Sequence, residues 1–255
     1  MYADERHRAI AALVVQQGRA AVADIATTYG VTTETVRRDL AQLERAGLLR
    51  RVHGGAVPTA ALAGAERGLA DRDSAQAAQK DRIARCALEL LPPRGGSVLL
   101  DAGTTTGRLA ALLPTDRSLL VVTHAVPLAA RLAGVPGITL HLVGGRVRGE
   151  TQAAVGADTV RALQDLRADV AFVGTNGLLP GYGLSTPNAE EAEVKRALVA
   201  AGRQVVVLAD STKLDREHLV RFAPMDAVDV LVTDDGISDA TRDALQAAGT
   251  DVVVA

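Results

Sequence analysis

The sequence predicts a mixed α/β protein in which a small helical domain precedes an open α/β domain. From Ser97 onward, seven short apolar runs rich in β-branched residues alternate with alanine-rich helical stretches. Residues 1–57 instead show short helical segments without this alternation. Between the two patterns, residues 58–78 contain a scatter of Ala, Gly, Pro and charged residues with no clean period. We therefore expect domains at 1–57 and 79–255, joined by a linker at 58–78.

Composition excludes several classes of protein. The chain has 255 residues and is 48% hydrophobic, which is enough to bury a core and rules out disorder as the main state. Its longest apolar run, Ala9 to Val15, is too short for a membrane span or a secretory signal, so we expect a cytoplasmic protein. A single cysteine, Cys86, excludes an internal disulfide and is expected to pack in the core. No Cys/His pairs have zinc-ligand spacing, and we expect neither a metal nor a cofactor.

Charge and aromatic content indicate which nucleic acid could bind. Three Tyr, two Phe and no Trp cannot easily build the stacking surfaces of single-strand binders, so any nucleic acid bound is expected to be duplex. The net charge is −2, but residues 1–58 carry eight Arg against six acidic residues. The rest of the chain is acidic overall. This asymmetry is small and counts only beside a motif.

Residues 22–36 have the spacing of a helix-turn-helix. Ala26 lets two helices approach closely, Gly30 permits the sharp turn, and Val36 packs the second helix onto the first. Thr32 or Thr33 can cap the second helix. A glycine-turned pair of helices with a solvated arginine face is the alternative interpretation of the same spacing.

The second helix would expose one polar face. With Val36, Leu40 and Leu43 buried, a rotation of about 100° per residue leaves the opposite side free to enter a major groove. The residues assigned to DNA on this helix are Thr33, Glu34, Thr35, Arg37 and Arg38. After it, residues 47–57 read as two short strands around a His-Gly-Gly turn, which predicts a β-hairpin wing. The residues assigned to the DNA backbone there are Arg50, Arg51 and His53.

These motifs together resemble a known family. The stretch Thr35-Val36-Arg37-Arg38-Asp39-Leu40, followed by Leu43-Glu44, Gly47 and Arg51-Val52-His53-Gly54-Gly55-Ala56, closely resembles the winged helix-turn-helix of DeoR-type bacterial transcription regulators. The resemblance implies sequence-specific binding to double-stranded operator DNA, usually as a repressor. It also implies a homo-oligomer, a dimer or tetramer, that places paired recognition helices on two half-sites.

In the second domain, the alternation of strands and helices predicts a Rossmann-like open α/β fold with a mostly parallel sheet. The predicted strands are 97–101, 119–123, 138–143, 170–174, 205–209, 228–233 and 251–254. The predicted helices are 80–91, 107–113, 127–133, 159–166, 189–201 and 239–248. Ligands of such sheets bind beyond the carboxyl ends of the strands, which is where a site is expected.

A glycine- and threonine-rich loop follows the first predicted strand of this domain. Backbone N–H groups at a helix start, the positive end of the helix dipole and three hydroxyls predict a cradle for a phosphate. The residues assigned to it are Asp101, Gly103, Thr104, Thr105 and Thr106. An ordinary turn capped by Thr is the alternative. The loop lacks both the P-loop pattern and a complete dinucleotide fingerprint.

Later strand ends add further candidates for ligand binding. The strand-end residues are Gly144, Gly145, Gly174, Thr175, Asn176, Gly177 and Asp210. Glu191 and Lys195 lie one helical turn apart, and the alternative to a role in ligand binding is a surface ion pair between them. For Asp210, the alternative is a helix cap. Only three of the twenty-eight basic residues are lysines, namely Lys80, Lys195 and Lys213. A compact ammonium suits a small anionic sugar, so all three are assigned to the site.

The same motifs resemble the effector domain of the DeoR family, whose fold is similar to ribose-5-phosphate isomerase and glucosamine-6-phosphate deaminase. The resemblance implies a phosphate loop at residues 101–107, a sugar-facing loop at 174–177, and lysines at positions where relatives keep lysine. One departure matters. The isomerases carry aspartates in the sugar-facing loop, whereas Asn176 cannot exchange protons usefully, which favours binding without turnover.

We therefore expect a transcription regulator, not an enzyme, that a phosphorylated sugar controls, with fructose 1-phosphate the first to test. One alternative is an active sugar-phosphate isomerase or deaminase with a DNA-binding appendage. Another is a dinucleotide-sensing repressor, whose weak point is the incomplete glycine fingerprint.

Overall fold

The computed structural model of the chain describes residues 3–17, 20–45, 48–52, 54–58 and 68–255. The chain forms two compact units, Met1–Ala65 and Glu66–Ala255. Each unit has its own hydrophobic core. Across these residues, no helix combines the length and the apolar character needed to cross a membrane.

The first unit has the predicted winged helix-turn-helix fold. Its elements are α1 (Ala3–Gln17), β1 (Ala20–Ala21), α2 (Val22–Tyr29), α3 (Thr33–Arg45), β2 (Leu49–Val52) and β3 (Gly55–Pro58). The three strands form an antiparallel sheet in the order β1-β3-β2, in which β2 and β3 are the wing. Gly30 ends α2 with a left-handed φ of 64°, and its amide donates to the Ala26 carbonyl. Glycine adopts this conformation without strain, which explains the sharp turn before α3.

The second unit alternates strands and helices along most of its length. Its helices are α4 (Leu69–Ser74), α5 (Ala77–Ala87), α6 (Thr104–Ala111), α7 (Val126–Leu132), α8 (Ala157–Gln164), α9 (Ala189–Ala201) and α10 (Asp239–Ala247). Its strands are β4 (Ser97–Leu100), β5 (Leu119–Thr123), β6 (Ile138–Leu142), β7 (Arg146–Arg148), β8 (Ala153–Val155), β9 (Ala168–Gly174), β10 (Gly177–Leu179), β11 (Gly183–Thr186), β12 (Gly202–Leu208), β13 (Val220–Ala223), β14 (Val230–Thr233) and β15 (Asp251–Val254). All seven strands predicted from the sequence are present.

A seven-stranded parallel sheet organises the second unit. Its strand order is β15-β14-β12-β9-β4-β5-β6. From β4 the chain proceeds to β5 and β6 on one side, and β9, β12, β14 and β15 follow on the other. The direction of winding therefore reverses between β4 and β9, and the crevice at their carboxyl ends is where open α/β sheets bind ligands.

Helices cover both faces of this sheet. On one face, α5, α6 and α7 pack through residues such as Ile83, Leu109 and Leu132. On the other face, α8, α9 and α10 pack through residues such as Leu163 and Leu198. Because strands buried on both faces need apolar side chains on both sides, their sequences form continuous apolar runs, which made them easy to predict.

The structure differs from the prediction in its short elements. In the second unit, the prediction missed five strands: β7 and β8 form a hairpin, and β10, β11 and β13 form a small antiparallel sheet. Each spans only three or four residues, too few for an apolar period to show. Helix α4 and the start of α5 lie within the predicted linker 58–78, since α4 buries no side chain and so has no apolar stripe. Helix α6 begins at Thr104, three residues before the predicted start.

Candidate DNA interface and anion site

Helix α3 presents the predicted DNA-reading side chains on its outer face. Val36, Leu40 and Leu43 are at most 2% exposed and turn the other face toward the core. The predicted residues are exposed, except that Thr35 is half-buried: Thr33, Glu34, Thr35, Arg37 and Arg38. The Thr32 hydroxyl accepts a hydrogen bond from the Thr35 amide at 3.2 Å, so Thr32 and not Thr33 caps α3.

The wing is tied to α3 through Arg51. Glu44 of α3 accepts two hydrogen bonds from Arg51, from its amide at 2.8 Å and from its Nε at 2.7 Å. The sequence predicts Arg51 as a contact to the DNA backbone but does not predict this partner. A DNA phosphate has to compete with Glu44 for the Arg51 guanidinium. The other two residues predicted for the wing are Arg50 and His53. The structure places the backbone of Arg50 on β2, and His53 lies outside the described residues.

A buried carboxylate fixes α3 against α1, and the sequence analysis missed it. Asp39 is 5% exposed and accepts hydrogen bonds from Arg6 at 2.6 and 3.1 Å, with His7 Nε2 at 2.9 Å from its Oδ1. Burial raises the pKa of Asp39, but hydrogen bonds from Arg6 and His7 outweigh it and hold the pKa below its ordinary value. The sequence does contain an indication of this role, because Asp39 is an acidic residue on the apolar stripe of α3, between Val36 and Leu43.

In the second unit, ionisable side chains follow several strands at the carboxyl edge of the sheet. Asp101 follows β4, His124 follows β5, Asp210 comes shortly after β12 and Asp234 follows β14. All four are at most 3% exposed. Groups of this kind are costly to bury without partners, so each one has a bonded role.

Asp101 is the centre of this edge, at the crevice between β4 and β9. Its Oδ2 accepts from the Gly174 amide at 2.8 Å and from Lys195 Nζ, and its Oδ1 accepts from the Ala102 amide at 2.8 Å. Lys195 Nζ also donates to the Gly174 carbonyl at 2.9 Å. Burial alone would raise the pKa of Asp101, but the charge of Lys195 and a hydrogen bond from His124 lower it to about 2. The carboxylate is therefore ionised at neutral pH and paired with a buried ammonium.

His124 joins this centre to the hairpin β7–β8. Its Nδ1 lies 2.9 Å from the Ala154 carbonyl, which can only accept, so Nδ1 carries a proton. Its Nε2 lies 3.2 Å from Asp101 Oδ1. His124 was not predicted as a site residue. It directly follows the strand Leu119–Thr123, and the glycine candidates were predicted because they follow strands in the same way.

The threonine loop forms the first turn of α6, and this corrects part of the prediction. Thr106 is fully buried, and its hydroxyl donates to the Gly103 carbonyl at 3.1 Å, so the hydroxyl serves the backbone of the loop. The backbone amides of Thr104, Thr105 and Thr106 precede the first helical hydrogen bond, from the Gly107 amide to Gly103. Amides at a helix start can donate to an anion, and of the three hydroxyls in the predicted cradle Thr106 is already bonded to the loop backbone, which leaves Thr104 and Thr105 as candidates.

Glu191 and Lys195 are both buried and do not pair with each other, so the surface ion pair is wrong. Glu191 accepts from Arg148 and from the Thr151 hydroxyl at 2.6 Å, while Lys195 binds Asp101. Helix α9 thereby links the β7–β8 hairpin to the centre of the site.

The remaining glycines and polar loop residues serve local packing. A Cβ at Gly145 would overlap Thr159, whose hydroxyl donates to the Gly144 carbonyl at 2.8 Å. Gly145 therefore lets α8 approach, whereas a Cβ at Gly144 would meet no neighbouring atom. In the sugar-facing loop, the Thr175 hydroxyl donates to Gly177 at 2.7 Å, and Asn176 Oδ1 accepts from Thr186 at 3.1 Å.

A group of cations borders the start of α6. Lys80, in the first turn of α5, is 4% exposed and donates to the Ala75 carbonyl at 2.7 Å and to the Arg72 carbonyl. Burial lowers the pKa of Lys80 to about 8, and the charge of Asp210 opposes that shift, while Lys213 and Arg108 add to it. Asp210 accepts from the Thr212 amide at 3.2 Å and caps the short helix Ser211–Lys213, as the alternative interpretation held. Within the described ranges, no group of three potential metal ligands occurs.

Two family models match the chain, one for each unit. The DeoR-like helix-turn-helix domain matches residues 6–60, and the DeoR C terminal sensor domain matches residues 75–235. Together they cover most of the chain.

Curated relatives are similar along nearly their whole length. The chain is 36% identical to the HTH-type transcriptional regulator GlpR of Haloferax volcanii, covering 98% of this chain and 96% of that protein. It is 31% identical to the HTH-type transcriptional repressor GlcR of Bacillus subtilis, covering 100% and 97%. It is 30% identical to the glycerol-3-phosphate regulon repressor of Escherichia coli, covering 90% of each.

Among solved structures, the chain is similar to ribose 5 phosphate isomerase A from Neisseria gonorrhoeae, with a TM-score of 0.38 and 15% identity. The match covers 56% of this chain and 54% of that one. A likeness of this extent says nothing about activity.

Proposed function

The chain belongs to the DeoR family of transcription regulators, and on that premise we propose that it represses a sugar-metabolism operon under the control of a phosphorylated sugar. The single observation that supports the ligand half is the start of α6, whose first backbone amides come shortly after Asp101 of the buried Asp101–Lys195 pair, at the carboxyl edge of the sheet. Fructose 1-phosphate is the first sugar phosphate to test.

The DNA half of the proposal rests on α3. Its outer face offers Arg37 and Arg38 to base edges, while Asp39 holds the helix from behind. Two such helices are needed for a two-part operator, so we propose a dimer or tetramer acting on duplex DNA in the cytoplasm.

The chain is not an enzyme, since its family and its curated relatives are regulators. The bonding of the site agrees with this assignment. Asp101 is held as an ion by Lys195 and by two backbone amides, and Asn176 has no proton to exchange, so a general acid or base for isomerisation is missing from the sugar-facing loop.

The proposal is tested by gel shift with the full-length protein. A duplex selected from random sequence serves as operator, and a panel of sugar phosphates beginning with fructose 1-phosphate is titrated into the complex. We expect one of them to change operator affinity about five- to 150-fold. If no sugar phosphate alters the affinity, the ligand half is wrong, and if no duplex is selected, the DNA half is wrong.

A further inference from the structure

Helix α4 is the first helix of the sensor unit and is weakly anchored by apolar contacts. It spans six residues and buries none of them. Residues 59–67, which lie outside the described residues, connect it to the DNA-binding unit. A turn with Gln76 at a left-handed φ of 53° leads from it into α5. The position of such a helix depends on polar contacts, which a ligand can rearrange more easily than a packed core.

One guanidinium fastens α4 to the anion site. Arg108 lies on α6, one turn after Thr104, and its Nη1 lies 3.4 Å from the Thr104 carbonyl oxygen. It binds the Asp73 carboxylate on α4, donates to the Asp73 carbonyl at 3.0 Å and binds Asp81 on α5 at 2.8 Å. The helix that begins at the proposed anion site is therefore bonded to α4 by the Arg108 side chain.

One ammonium forms the second fastening. Lys80 donates to the carbonyls of Arg72 and Ala75, at the end of α4 and just after it. Its charge also interacts with those of Asp210 and Lys213 at the sheet edge. Both of these bonds to α4 are thus made by cations that interact with groups at the start of α6 or at the carboxyl edge of the sheet.

We propose that a phosphorylated ligand bound at the start of α6 loosens α4, and that Arg108 and Lys80 are the residues that couple the two. This inference rests on the proposed function. A phosphate acceptor carries a charge opposite to that of the Lys80 ammonium, whereas a carbonyl acceptor is neutral, so the ligand draws Lys80 away from Arg72 and Ala75. The release of α4, which follows the DNA-binding unit in the chain, then changes operator affinity.

The first test needs no ligand. Asp73→Asn weakens the hold of Arg108 on α4, and Asp71→Asn makes the same charge change at an exposed position of α4 that Arg108 does not bind. In the full-length protein, we expect Asp73→Asn to speed amide exchange in residues 69–76 at least tenfold and to change operator affinity at least fivefold. Asp71→Asn should stay within twofold of the original chain in both measurements. If Asp73→Asn leaves either the exchange or the operator affinity unchanged, the proposal is overturned.

The second test adds fructose 1-phosphate, with inorganic phosphate in parallel. Protection of residues 101–108 reports binding, and exchange in residues 69–76 reports coupling. We expect protection at the first and faster exchange at the second. Protection without faster exchange overturns the coupling while leaving the proposed function intact. Absence of protection with both probes overturns the inference that a phosphate group binds at the start of α6 and loosens α4, while the gel-shift panel decides the ligand half of the proposed function separately.

Discussion

The two units hold their functional cations in opposite ways. In the DNA-binding unit, Arg37 and Arg38 are exposed on α3, and Arg37 pairs with the equally exposed Glu34 at 3.5 Å. In the sensor unit, Lys80 and Lys195 are 4% and 6% exposed and have partners within the protein. A ligand there must compete with bonds in the interior of the fold. DNA binding here therefore acts on cations at the surface, whose ion pairs with Glu34 and Glu44 are exposed to solvent, whereas sensing exchanges contacts inside a fold.

The largest effect should come from Asp101→Asn, which leaves Lys195 buried without its counter-ion. Removing one partner of a buried pair costs about 3–5 kcal/mol in the free energy of unfolding. Amide hydrogen exchange in strands β4 and β9, followed in the full chain at increasing urea concentration, measures this loss in the free energy of unfolding. The double variant with Lys195→Met should recover much of it, and equal losses in the single and double variants would contradict the pairing.

The same pair predicts an acid limit for the sensor unit. Because the pKa of Asp101 is lowered to about 2, its stabilisation is complete above the ordinary carboxyl value and is lost as pH falls toward 2. The unfolding free energy of the original chain should therefore fall with pH across this window. Asp101→Asn should show a shallower fall.

Next in size, Arg38→Ala should weaken operator binding by about 1–3 kcal/mol and relax its sequence preference. The side chain is exposed on α3, and its removal leaves the core residues Val36 and Leu40 untouched. Gel shifts with operator and with mismatched duplexes measure both effects. An equal loss on every duplex would place Arg38 on the DNA backbone instead of the bases.

A smaller effect is expected from pH on the ligand site. Since burial lowers the pKa of Lys80 to about 8, the side chain is charged at pH 7 and mostly neutral at pH 9. Affinity for fructose 1-phosphate, measured by calorimetry, should fall roughly tenfold between these values if Lys80 binds as a cation. Lys80→Gln should bind more weakly and show a flat profile. A steep profile in that variant would assign the titration to another group.

The smallest effect is expected from Arg51→Ala on the wing. Arg51 must give up Glu44 to reach a phosphate, so its net contribution is reduced. The variant should bind all duplexes slightly more weakly and reduce the slope of log affinity against log salt by about 1. Glu44→Gln frees the guanidinium and should act in the opposite direction. A loss of affinity for the operator alone, with other duplexes unaffected, would contradict a contact between Arg51 and the DNA backbone.

Periodicity explains how much of the fold could be predicted. The strands of the large sheet and the stripe of Val36, Leu40 and Leu43 are local patterns, and the sequence shows them directly. Asp101 was found because it follows a strand. The partners of buried charges could not be found in this way, since Asp39 meets Arg6 and Asp101 meets Lys195 across long stretches of chain. Glu191 shows the consequence, because its local spacing predicts Lys195 as partner and the fold supplies Arg148 instead.

The bonding of Asp101 also sets a rule for anyone building a biosensor from this chain. Both carboxylate oxygens already accept hydrogen bonds, from the amides of Ala102 and Gly174 and from Lys195 Nζ. Libraries that vary Asp101 or Lys195 would therefore mostly yield unfolded proteins. Exposed positions of the β7–β8 hairpin, such as Val147 and Gly149, make none of these bonds and can be varied without disrupting the fold.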